Sequence, residues 1–157
     1  MAEEVIRHYN IVLAEDDEDD RTFFQDAISI IHPHATVNIA NDGEKLLNYL
    51  DSVSEIPDII FLDLHMPRIN GIECICDIRS KEKFNEVPIV MFTISGTAPD
   101  MLESKRCGAN VYIKKSGSFN QLVETLRGLL TNDGFKSLLM GRQNYVLGET
   151  GSPSNLV

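Results

Sequence analysis

PDIIFLDLHMPRING, residues 57–71, opens on Ile59, Ile60, Phe61 and Leu62 and then reaches a lone carboxylate, Asp63. An unbroken apolar run of this length, bounded by turn residues, reads as a short strand buried on both faces in the middle of a parallel sheet. Pro67 and Gly71 punctuate the loop that follows. In open parallel sheets ligands sit beyond the carboxyl ends of the strands, and Asp63 stands at that end. On this stretch alone, Asp63 reads equally well as a turn former.

Tyr9 to Ala14 (YNIVLA) is a second apolar strand, and it runs into Glu15, Asp16, Asp17, Glu18, Asp19 and Asp20. If the two strands are neighbours, Glu15, Asp16 and Asp63 share one corner. Carboxylates that close repel one another and raise each other's pKa values. A hard divalent cation removes that conflict, and Mg²⁺ suits a few carboxylates with waters and an incoming phosphate. Asp17 to Asp20 are assigned mainly to a solvated helix start, where negative side chains are favourable. Two further strands, Val87 to Phe92 and Val111 to Ile113, close on Thr93 and on Lys114-Lys115.

An acidic pair, a lone Asp, a Thr and a Lys, each closing a successive strand, resemble the receiver domain of two-component response regulators. The resemblance runs from about Tyr9 to Leu130. It rests on ED, DLHMPRING, FTIS and GANVYIKK, each at its own strand end. Thr93 follows Asp63 by thirty residues, Tyr112 follows Thr93 by nineteen, and Lys115 follows Tyr112 by three. Those gaps are similar to chemotaxis-type single-domain receivers, so Lys115 rather than Lys114 matches the family lysine. The resemblance implies a flavodoxin-like α/β fold, a doubly wound five-stranded parallel sheet of order 2-1-3-4-5.

It also implies roles. Asp63 is the expected phosphoacceptor. Mg²⁺ is held by Glu15, Asp16, Asp63 and the backbone carbonyl of His65. Lys115 neutralises a phosphoryl oxygen, the Thr93 hydroxyl donates to another, and Thr93 with Tyr112 forms the switch. The expected donor is a sensor histidine kinase or histidine phosphotransfer protein. The expected output is a downstream protein or a receiver homodimer, reached through the fourth helix, fifth strand and fifth helix. Such a protein catalyses only its own phosphoryl transfer and dephosphorylation. Two other readings are weaker: a pseudo-receiver that docks without phosphorylation, and an Asp-nucleophile phosphohydrolase. The latter wants a second Asp two residues after the first, where this chain has His65. One departure from the family concerns the lysine, which is usually followed by proline after a cis bond. Here Ser116 and Gly117 follow, and a trans bond is expected, with Gly117 re-routing the chain.

The bounds agree with this. Within 157 residues, one domain over 1–131 and a C-terminal extension over 132–157 are expected. In the extension, Phe135, Leu138, Leu139 and Met140 are expected against the body, and 148–157 as a flexible tail. With 14 Lys and Arg against 24 Asp and Glu, the net charge is −10. That balance disfavours a nucleic-acid partner. No apolar run approaches the about 20 residues that span a bilayer. No membrane partner and a cytoplasmic location are expected, with Cys74, Cys76 and Cys107 as structural thiols and the four histidines on the surface or in loops. Along the chain, strands alternate with helical patterns. The expected inward faces are Phe23, Phe24, Ala27, Ile28 and Ile31 in the first helix, and Leu46, Leu47 and Leu50 in the second. The third uses Ile72, Ile75, Cys76 and Ile78. The fourth begins near Ala98 with Pro99 and ends at Gly108, and Ser118 to Gln121 form a capping box before the fifth.

Overall fold

Alternating strands and helices wind into a sheet with a helical layer on each face in the computed structural model, which describes residues 8–141, 144–147 and 153–154. Strands β1 (Asn10–Ala14), β2 (Thr36–Ala40), β3 (Ile59–Leu62), β4 (Ile89–Thr93) and β5 (Val111–Lys114) lie parallel in the order 2-1-3-4-5, as expected. Register places Ala14 beside Leu62 and Leu62 beside Met91. The residues that close β1, β3 and β4 therefore emerge side by side at one edge.

Period-2 alternation divides the core. Ile11, Leu13, Ile59, Phe61, Val90, Phe92 and Ile113 meet α1 (Glu18–Ile31) and α5 (Phe119–Leu129) on one face. Val12, Ala14, Ile60, Leu62, Ile89, Met91 and Tyr112 meet α2 (Gly43–Ser52), α3 (Gly71–Arg79) and α4 (Ala98–Cys107) on the other. Both faces are covered, so the strands read as continuous apolar runs rather than alternating ones.

The helix ends carry the local signals. Asp17, Asp42, Asn70, Thr97 and Ser118 each accept from a backbone N–H three residues on. The reciprocal box belongs to Asn70 and Glu73 before α3. It does not form before α5, where Ser118 N instead donates to Ser116 Oγ. Gly108 ends α4 in the left-handed region.

Some inward assignments differ from expectation. In α3, Cys74 is buried and Cys76 is exposed, because the buried stripe runs Gly71, Cys74, Ile75, Ile78. Phe23 is 43% exposed, its ring edge-on to Phe119. His32 is half-buried, with Nε2 2.7 Å from Leu130 O.

Beyond α5, helix α6 (Asn132–Leu139) buries Phe135 and Leu138, while Leu139 and Met140 face solvent, contrary to expectation. The sheet also continues past β5. Strand β6 (Val146–Leu147) pairs parallel with β5, and β7 (Pro153–Ser154) pairs antiparallel with β6. The tail expected from residue 148 otherwise lies outside the described residues.

Candidate functional site

Each site side chain is placed by a strand end. Asp63 follows β3 and is 6% exposed; its N–H donates to Ala14 O. Its Oδ1 accepts from His65 N at 3.2 Å, the tight turn that DLH makes. Glu15 follows β1, is 1% exposed, and is pinned by its N–H to Ala40 O and by Arg21 Nη1 on its own carbonyl. Asp16 is exposed beside it. One oxygen from each of Glu15, Asp16 and Asp63 can be chosen so that all lie within 4.8 Å of one another. Among the described residues this is the one such acidic, His or Cys group.

Lys115 enters this corner from the turn after β5, its side chain 7% exposed. Its N–H donates to Thr93 O at 2.7 Å. Its Nζ lies 2.6 Å from Glu15 Oε2, 2.7 Å from Asp20 Oδ2 and 3.2 Å from Asp63 Oδ2. The ring of Phe92 lies under it, 5.1 Å away at the centroid. Electrostatics follow from this packing. Burial pushes the Glu15 carboxyl up to about 7, against the opposing Lys115 bond, and the Asp63 charge pushes it further the same way. Burial lowers the Lys115 ammonium, but its bonds to Asp20 and Glu15 and the Asp63 charge outweigh that and hold it above its ordinary value.

Thr93 closes β4 and Tyr112 lies on β5, and both are fully buried. Thr93 Oγ1 accepts from Ser95 N at 3.4 Å, and Tyr112 Oη donates to Ser95 O at 2.8 Å. Both thus tie to the turn after β4. The Lys115–Ser116 bond is trans, as no cis bond occurs among the described residues, and Gly117 takes φ 80°. The lysine reaches the acidic corner without the proline.

The sequence pattern missed Asp20. No signal separates it from Glu18 and Asp19 until Asp17 is known to be the N-cap. Helix phase then turns Asp20 alone of the three toward Lys115. His65 has an exposed side chain and enters the site through its backbone N–H.

A parallel sheet of this order, with an acidic corner and a lysine at the carboxyl edge, is a receiver's architecture. The chain belongs to the response regulator receiver domain family, whose model matches residues 11–127. It is similar to response regulator ArlR of Staphylococcus epidermidis, 31% identical over 130 residues, which are 83% of this chain and 56% of ArlR. It is also similar to response regulator Rcp1 of Synechocystis sp., 26% identical over 124 residues, 76% of this chain and 84% of Rcp1. Several curated relatives are longer: the chain spans 56% of ArlR and 44% of the probable transcriptional regulator ycf27 of Guillardia theta. Among solved structures, the phosphorylated cyanobacterial phytochrome response regulator RcpA superposes with a TM-score of 0.73 at 29% identity, over 78% of this chain and 91% of that one. The chemotaxis regulator CheY4 of Vibrio cholerae gives 0.69 at 22% identity, over 79% and 100%, a likeness of fold. Receivers of this family are signalling proteins that interact with histidine kinases and downstream targets, and they bind Mg²⁺ at the acidic pocket. The donor set here fits such an ion: oxygen ligands only, with two of the three carboxylates buried.

Proposed function

We propose that this receiver accepts a phosphoryl group on Asp63 from a histidine kinase or phosphotransfer protein, with Mg²⁺, and signals by protein–protein contact. The observation that carries this is the placement of Asp63. It is buried at the end of the central strand, one oxygen fixed by His65 N–H and the other facing Lys115, within the Glu15–Asp16 cluster. RcpA has been solved phosphorylated and Rcp1 with Mn²⁺ bound, which supports the same chemistry here.

Asp63 attacks the phosphorus of a phosphohistidine. The P–N bond breaks as the P–O bond forms, and the imidazole leaves and takes up a proton. Glu15, Asp16, Asp63 and the His65 carbonyl would hold Mg²⁺, which when bound offsets charge on the transferring oxygens. The Lys115 ammonium meets one phosphoryl oxygen as a point charge. The Thr93 hydroxyl turns from Ser95 N to another, and Tyr112 responds through their shared Ser95 turn. We assign residues 1–131 to the receiver and 132–157 to an extension, and the protein to the cytoplasm.

Incubation with Mg²⁺ and acetyl phosphate, followed by intact mass, tests the assignment. The wild type gains one phosphoryl adduct and Asp63→Asn gains none. Equal labelling of both removes Asp63 as acceptor, and no labelling of either favours a docking module that is never phosphorylated.

A further inference from the structure

Lys115 is bonded by three carboxylates, and Asp20 alone among them stands outside the metal cluster. Glu15 and Asp63 each serve two cations in the proposed site, the ammonium and the divalent ion. A metal that takes Glu15 and Asp63 takes the lysine's bonds to them. An ammonium left with no other partner stays on those oxygens and competes with the ion. Asp20 removes the competition. Its Oδ2 lies 2.7 Å from Nζ, nearly as short as the 2.6 Å Glu15 bond and shorter than the 3.2 Å to Asp63. Asp20 is itself fixed, because its backbone N–H is tied to the Asp17 cap at the start of α1.

We infer that Asp20 is a positioning residue: it holds the Lys115 ammonium when Mg²⁺ takes Glu15 and Asp63, keeping the lysine at the site without opposing the metal. The inference rests on the Mg²⁺ reading of the acidic corner. Asp20 is 36% exposed, so it keeps its place at the mouth, next to where a phosphoryl oxygen arrives. A charge-assisted bond there is stronger than its neutral counterpart yet remains open to exchange for the phosphoryl group.

The test is Mg²⁺ affinity of the full chain by titration calorimetry, comparing Asp20→Asn with Asp19→Asn. Asp19 is exposed and one residue away, so its substitution removes the same charge. Asp20→Asn should bind Mg²⁺ about tenfold more weakly, on the scale of one lost charged contact, and Asp19→Asn clearly less so. In a Lys115→Met background the Asp20 effect should fall to that of Asp19. In ¹⁵N spectra the Lys115 ammonium signal should persist when Mg²⁺ is added to wild type and vanish in Asp20→Asn. Asp20→Glu should restore both readouts. Equal weakening by Asp19→Asn and Asp20→Asn, or an Asp20 effect undiminished without Lys115, overturns the inference while the metal site stands. A wild type that binds no Mg²⁺ overturns the metal reading and the inference with it.

Discussion

Gly71 and Asp63 touch back to back. A Cβ at position 71 would lie 2.3 Å from Asp63 O and 2.8 Å from Leu64 Cα, and neither is the end of a flexible side chain. Gly71 N–H also donates to Leu64 O, so α3 cannot slide away cheaply. Gly71→Ala should therefore push on the proposed acceptor, destabilising by about 1–3 kcal/mol as overpacking does. Labelling by acetyl phosphate should slow in the same variant. Gly128 is the contrast: it is exposed on α5, and nothing lies within 4 Å of its Cβ position. Gly128→Ala should stabilise by about 0.5–1 kcal/mol with labelling unchanged. Urea unfolding of both variants checks the pair, and equal destabilisation would refute the packing argument. At this scale Glu15, Asp16 and Asp63 were legible because strand ends of a parallel sheet meet at one edge. Asp20 was not, because an acidic helix start explains its charge equally well, and only three-dimensional phase separates the two roles.

Among elements, the segment after α5 adds to the edge of the sheet. Strands β1, β3, β4 and β5 were legible from their apolar runs, but β6 is only Val146–Leu147, too short for periodicity to register. It nevertheless covers the edge of β5, both residues are buried, and Tyr112 N–H donates to Tyr145 O at 2.6 Å. The Tyr145 ring lies 6.2 Å from that of Tyr112, with Lys105 Nζ 5.5 Å above it. Tyr145 is the less buried of the two rings. The Tyr145 hydroxyl lies beside Ser104, whose Oγ donates its own proton to Asp100 O and keeps lone pairs that can accept from the tyrosine. Removing that hydroxyl should thus cost one neutral hydrogen bond at most, whereas removing the ring opens a cavity. Tyr145→Phe should lose at most about 1.5 kcal/mol, and Tyr145→Ala should lose about 3–5 kcal/mol. Equal losses in the two variants would mean that the ring contributes no packing of its own.

Across the whole molecule, negative charge is in excess. Asp and Glu outnumber Lys and Arg by 24 to 14, and one of these carboxylates, Glu15, is buried beside Asp63, with burial the main cause of its raised pKa. Its folded pKa of about 7 lies above the ordinary 4.5, so the folded chain holds that proton more tightly than the unfolded one. Its contribution to stability is present below about pH 4.5 and is lost as pH rises through about 7. A divalent ion needs the carboxylate form, so its binding releases the proton and strengthens over the same window. The two trends add: the gap in melting temperature between Mg²⁺ and EDTA should widen from pH 4.5 to beyond 7. At a hundredfold excess over Kd the ion adds about 2.7 kcal/mol, roughly 5–10 °C for a domain of this size. General screening of the net −10 charge also raises stability, so NaCl of matched ionic strength is the control. Asp16→Ala removes an exposed ligand with little packing, and it should abolish the Mg²⁺-specific part while leaving the salt effect. Calorimetric melts of both proteins at pH 5 and pH 8 decide the matter. A shift reproduced by NaCl, or one retained in full by Asp16→Ala, would assign the stabilisation to screening rather than to the acidic corner.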